Sequence, residues 1–226
     1  MARKLEVCAY NIESCLHAAA AGASRIELCA SPAEGGVTPS YGMIEHAVQN
    51  LSIPVYIMIR PRGGNFVYSK AELDIMFTDI ARCKDLSVPG IAIGILKADN
   101  TVDVERMKEI VQFAFPMGVT FHKAFDRTPD ALQALEDVIA TGCERILTSG
   151  LETTATEGTP LIKKLIQAAG NRITIMPGGG VRSTNIAGIA AATGATELHS
   201  SAITTASRDF VADKNEVAAL VTAINF

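Results

Sequence analysis

Ile26-Glu27-Leu28-Cys29 repeats the pattern of Leu5-Glu6-Val7-Cys8: apolar, glutamate, apolar, cysteine, twenty-one residues further on. Each tetrad alternates in polarity, the mark of a strand with two chemically different faces. Each is also followed by a break and then a longer amphipathic stretch, so the echo marks a repeating strand–helix unit. The same alternation fills the chain on both sides. Strands are expected at 5–8, 25–29, 55–60, 90–95, 119–122, 145–148, 174–177 and 197–200. Helices are expected at 12–21, 41–50, 69–86, 102–115, 130–141, 160–169, 185–192 and 213–224. Glycine precedes several strands, in "AGAS" (21–24), "MGVT" (117–120), "TGCER" (141–145) and "TGAT" (193–196). There it can take a left-handed helix cap without a Cβ penalty. Eight such units predict an α/β fold, a (β/α)8 TIM barrel built as a single domain over residues 1–226. The competing arrangement is an open doubly wound sheet. No GxGxxG follows the first strand, and the even strand spacing leaves no room for a second domain.

The composition narrows the function. The formal net charge of −4 argues against a nucleic-acid partner, which needs a basic face. No apolar run reaches the length of a membrane span, and the charged "MARKLEVCAY" start runs straight into a strand, so no leader is expected. These features predict a cytoplasmic protein. Its five cysteines are an odd number without a CxxC pair, which in a reducing compartment suits free thiols. Cys15, Cys83 and Cys143 read as structural.

Strand parity then sorts the polar residues. Leu5 and Val7 suit the helix side, so Glu6 and Cys8 point into the barrel, and Glu27 and Cys29 follow on the neighbouring strand. The cysteines come last, at the carboxyl end where barrel active sites form. Other strand ends add Arg60 and Arg62; Lys97 and Asp99; His122, Lys123 and Asp126; Thr148 and Ser149; and Glu197, His199 and Ser200. The opposite ends show less polar concentration. Cys8 and Cys29 fit either core packing or soft-metal ligation. Glu6 and Glu27 fit either an ion-pair network with Arg60 and Arg62 or a role in substrate binding. Gly178, Gly179 and Gly180 either make a tight turn or present backbone N–H groups to an anion, as loops after strands 7 and 8 do in many barrels.

Two functions follow. One is an enzyme, an isomerase, aldolase or hydrolase, acting on a small anionic or phosphorylated substrate. Arg60, Arg62, Gly178, Gly179, Gly180 and His199 would bind that substrate. His122 or Glu27 would be the general base, with Asp126 or Glu6 orienting it. The other comes from a resemblance. "EVC" (6–8), "RIELC" (25–29), "EGGVTPS" (34–40), "IRPRGGNFVYS" (59–69), "FHKAFD" (121–126), "ILTSG" (146–150), "MPGGGV" (176–181) and "ELHSS" (197–201) together resemble the CutC family of copper homeostasis proteins. The match runs in order over nearly the whole chain, with Lys123 standing where arginine is more usual. The resemblance implies a (β/α)8 barrel, a cytoplasmic location, a homodimer or higher homo-oligomer, and Cys8 and Cys29 as ligands of Cu(I). The chemistry is compatible, because Cu(I) prefers thiolate and thioether donors. Two thiols on adjacent strands could hold one ion in a near-linear site, with Arg60 or Arg62 lowering a thiol pKa and Glu6 or Glu27 raising it. Met58 and Met176 read as core.

Overall fold

In a computed structural model, which describes residues 3–225, the strands are β1 (Lys4–Ala9), β2 (Arg25–Leu28), β3 (Val55–Met58), β4 (Gly90–Ile93), β5 (Gly118–Phe121), β6 (Arg145–Thr148), β7 (Thr174–Pro177) and β8 (Glu197–Ser200). They alternate with α1 (Ile12–Ala20), α2 (Tyr41–Asn50), α3 (Lys70–Asp85), α4 (Val104–Ala114), α5 (Ala131–Thr141), α6 (Thr159–Ala169), α7 (Ile186–Thr193) and α8 (Lys214–Ile224). The hydrogen-bonded order is β8-β1-β2-β3-β4-β5-β6-β7, parallel throughout, and β7 lies beside β8 to make a nearly closed (β/α)8 barrel. No helix among the described residues is long and apolar enough to cross a membrane.

The expected elements are present with shifted ends: many are shorter, while β1 is longer at both ends and α6 and α7 each gain a residue at one end. Ser69, Asp130 and Asp213 cap helices instead of opening them, each accepting from N–H groups of the first turn. Strands 3, 4 and 5 stop before residues 60, 95 and 122. Single ladder bonds persist beyond them, Ile59 N–H to the Ala92 carbonyl and His122 N–H to the Ile93 carbonyl. The chain then peels away to form the mouth. Gly142 and Gly194 are left-handed helix caps as expected, but Gly118 opens a strand instead. A Cβ at Gly118 would meet Tyr56 Oη at 2.6 Å, and one at Gly90 would meet the Tyr56 ring at 2.3 Å. Both glycines make room for that ring across the barrel floor.

Alternation divides the core. The outward residues, including Leu5, Val7, Ile26, Leu28, Ile57 and Ile91, pack under the helices in one large apolar layer. Inside, the floor is ionic. Arg25 pairs with Glu6 through Nε and donates from Nη2 to Glu197 Oε2 at 2.7 Å. Arg145 Nε reaches the same Glu197 oxygen at 2.7 Å, and its Nη1 reaches Thr120 and Glu144. Both guanidinium groups lie over the Tyr56 ring, at 4.9 and 5.6 Å. The amino ends of the strands are therefore not the less polar ends. Glu197, expected at the mouth, sits at the start of β8 and belongs to this floor. Two cations sharing two buried carboxylates satisfy one another, while removal of one leaves a buried charge exposed to a low dielectric.

Arg25→Met should therefore lower unfolding stability by about 3–5 kcal/mol, read by equilibrium urea denaturation. Arg172→Met, which removes an exposed pair with Glu136, should cost far less, about 1 kcal/mol or below.

Candidate functional site

The mouth is assembled one rung above this floor. β1 and β2 pair with Cys8 opposite Glu27, and Cys29 N–H donates to the Ala9 carbonyl just past the end of β2. This register brings Cys8 Sγ and Cys29 Sγ to 3.8 Å and Cys29 Sγ to 3.6 Å from Glu27 Oε2. The three donors lie within 4.8 Å of one another, all buried. Met58 and Ala92 pack with the two cysteines inside the barrel, and Tyr10 covers them. Met58 is core as expected, but core of this thiol cluster. All five cysteines are free.

His199 on β8 connects mouth and floor. Its Nδ1 lies 2.8 Å from Glu6 Oε1 and its Nε2 3.8 Å from Glu27 Oε2. Burial works against a charged imidazole, but hydrogen bonds to Cys8 and Glu6 and the carboxylate charges outweigh it, so the His199 pKa rises well above its usual value. The two glutamates diverge. Burial pushes Glu6 up, but the His199 hydrogen bond and the Arg25 charge hold it down at about 2. Glu27 has no arginine partner, and burial together with the charge on Cys8 outweighs the His199 charge and raises it well above the carboxylate range. Cys8 is lowered well below a normal thiol, first by a hydrogen bond from Cys29 and, against its burial, by His199. Cys29 rises in response. The two opposite shifts belong to one coupled pair, biased toward thiolate character on Cys8.

Arg60 and Arg62 partner neither glutamate of β1 and β2, and they are not what lowers a thiol. Arg60 spans the β2 and β3 loops, Nη1 donating to the Glu34 and Gly36 carbonyls at 2.7 and 2.9 Å and Nη2 to the Gly64 carbonyl at 2.9 Å. Arg62 turns to Glu72 on α3 and to the carbonyls of Gly63, Asn65 and Val67. His122 and Asp126 also part. His122 caps a short 3₁₀ turn, Lys123–Arg127, with Nδ1 accepting from Ala124 N–H at 3.2 Å. Asp126 instead takes the Thr148 hydroxyl, the Ser149 and Leu151 N–H groups and Lys123 Nζ. It braces the loop after β6. Asp99 binds Thr101 in its own exposed loop, and Ser200 donates to the Val181 carbonyl behind β8.

Packing and backbone both restrict the triglycine to glycine. A Cβ on Gly178 would strike Leu147 Cδ1 at 2.5 Å, and Gly179 and Gly180 have φ of 104° and 66°, values a side chain disfavours. One cavity of about 110 Å³ gathers Cys8, Glu27, Met58, Arg60, His122 and His199. Sequence reasoning missed Arg25, Arg145 and Tyr56. Their inward parity was available, but arginine at the start of a strand resembles a solvated edge until the barrel closes over it.

A parallel (β/α)8 barrel with two thiols and a carboxylate buried at its carboxyl-end mouth defines the class. The CutC family model matches residues 3–204. A family protein CutC from Chromobacterium violaceum is 50% identical over 202 residues, covering 89% of this chain and 82% of that relative. The human copper homeostasis protein cutC homolog is 45% identical over 201 residues, covering 89% of this chain and 74% of that protein. The crystal structure of CutC from Streptococcus agalactiae superposes with a TM-score of 0.84 at 39% identity, covering 89% of this chain and all of that one. This chain belongs to the CutC family.

Burial and the Arg60 charge depress His122 from 6.5 to about 3, so it stays neutral in the fold. Its folded pKa lies below its unfolded one, so this stability is complete above about pH 6.5 and is lost as the pH falls toward 3. His122→Gln should remove roughly 2 kcal/mol of the wild type's stability loss between pH 7 and 5, measured by denaturant unfolding at each pH.

Proposed function

We propose that this protein handles Cu(I) in copper homeostasis, with Cys8 and Cys29 as the docking sulfurs and Glu27 beside them. The observation that carries the reading is the buried cluster of two thiols and one carboxylate at the barrel mouth, the single such group among the described residues. The names of its relatives agree with it. Soft donors select Cu(I) over the harder divalent ions. The hydrogen bonds from Cys29 and His199 give Cys8 the thiolate character that metal binding requires.

The sulfur separation favours a bent site over a near-linear one. At metal–sulfur lengths of about 2.3 Å, two sulfurs facing each other across an ion stand roughly 4.6 Å apart, more than the 3.8 Å found here. The thiols therefore approach from one side and leave room for a third donor, which Glu27 or the Met58 thioether supplies. Glu6 and His199 act behind Cys8, orienting it and balancing its charge. In this reading the protein works in the reducing cytoplasm, where its thiols stay free.

Anaerobic Cu(I) competition against a chromogenic chelator tests this. The wild type should take up one tight equivalent, and Cys8→Ser with Cys29→Ser should abolish it. Binding that survives the double substitution would refute the assignment. His199→Gln, which leaves both sulfurs in place, should weaken affinity by roughly ten- to a hundredfold in the same titration.

A further inference from the structure

Four buried side-chain polar atoms among the described residues lack a hydrogen-bond partner, and three of them belong to residues lining the thiol cavity: Glu27 Oε1, Arg60 Nε and His122 Nε2. Such atoms are rare in folded proteins because each has given up water without replacement. The residues that carry them line one cavity, the place where a bound ligand would pair them.

Arg60 is the most demanding of the three. It is 5% exposed, the hydrogen bonds of its terminal nitrogens go only to neutral carbonyls, and its other polar neighbour is the neutral Tyr68 hydroxyl. No carboxylate among the described residues lies at ion-pair distance from it. Arg25, Arg145 and Arg62 each hold a glutamate. A buried cation without an anion is costly, and a bound anion removes that cost. His122 supplies the second donor. Its Nδ1 accepts from Ala124, so the proton sits on Nε2, which has no partner. Phe66 ties the donors together, with the Arg60 guanidinium 4.8 Å and the His122 ring 5.0 Å from its ring centre.

We infer that this cavity binds a small carboxylate, its oxygens accepting from Arg60 Nε and His122 Nε2 and an α-hydroxyl turned to Glu27 Oε1. One carboxylate charge balances one guanidinium. A phosphate carries more charge and more acceptors than this wall has free donors. The volume of about 110 Å³ admits a molecule of only a few heavy atoms. Met58, Phe66 and Leu147 offer its carbon skeleton an apolar wall. Entry is through an outer chamber of about 760 Å³, which shares Arg60, Phe66 and Lys123 with the inner cavity. The site adjoins the copper site and shares Glu27 and Met58 with it, but its two anion donors, Arg60 and His122, are not among the proposed copper ligands, so metal-free protein tests it separately.

The test uses metal-free, ¹⁵N-labelled protein titrated with sodium glycolate and sodium lactate. Heat is followed by calorimetry and the His122 ring nitrogens by long-range NMR. Saturable binding in the millimolar range or tighter, with a shift at His122 Nε2, is expected. His122→Phe, which keeps a ring but no donor, should weaken it at least about tenfold. Arg60→Lys, which keeps the charge but moves it, should also weaken it, with thermal unfolding confirming that each variant is folded. Absence of saturation by either salt up to about 100 mM overturns the proposal, and this wild-type result does not depend on how the variants fold. Unchanged affinity in folded His122→Phe, or saturation by inorganic phosphate and by neither carboxylate, also overturns it.

Discussion

The Arg25 guanidinium, held between Glu6 and Glu197 at the floor of the barrel, is the contact on which the mouth depends. Together with the His199 hydrogen bond, its charge keeps Glu6 ionised in a place where burial alone would protonate it. An ionised Glu6 holds His199 by Nδ1, and His199 so held supports the thiolate character of Cys8. Floor and mouth are therefore joined by one line of side chains, Arg25–Glu6–His199–Cys8, running up the barrel axis. Such a buried network stabilises only when every member is satisfied. The floor meets that condition with two arginines, two glutamates and the face of Tyr56.

Two glutamates of the same repeat consequently meet opposite fates. Glu6 faces a guanidinium and an imidazole, while Glu27 faces the sulfurs. Neighbouring carboxylates whose surroundings drive their pKa values apart are a mark of chemically active sites. In this chain the divergence separates a residue that orients His199 from one that stands beside the thiols. Membership of the CutC family agrees with a site whose distinctive donors are soft sulfur atoms.

The arginines show how the same residue type serves three ends. Arg25 and Arg145 neutralise the floor, and Arg62 anchors the β3 loop to α3. Arg60 also ties loops together, but through carbonyls alone, so its positive charge is left uncompensated at the mouth. That difference sets the inner cavity apart from an ordinary packing defect.

The barrel, its strand parity and the inward pairing of Glu6 with Cys8 and Glu27 with Cys29 were legible in the sequence. Each follows from local periodicity, and a side chain's face is decided by its neighbours two residues away. The tertiary structure decided which inward residue meets which. Glu6 pairs with Arg25 and not with Arg60 or Arg62, Glu197 joins the floor instead of the mouth, and Asp126 braces a loop rather than orienting His122. Those outcomes depend on the stagger of strands around the closed barrel and on where each strand leaves the ladder, which no local pattern encodes. The separation of 3.8 Å between the two sulfurs is likewise a product of the β1–β2 register. The repeat placed both cysteines inward, and the pairing of β1 with β2 set them side by side.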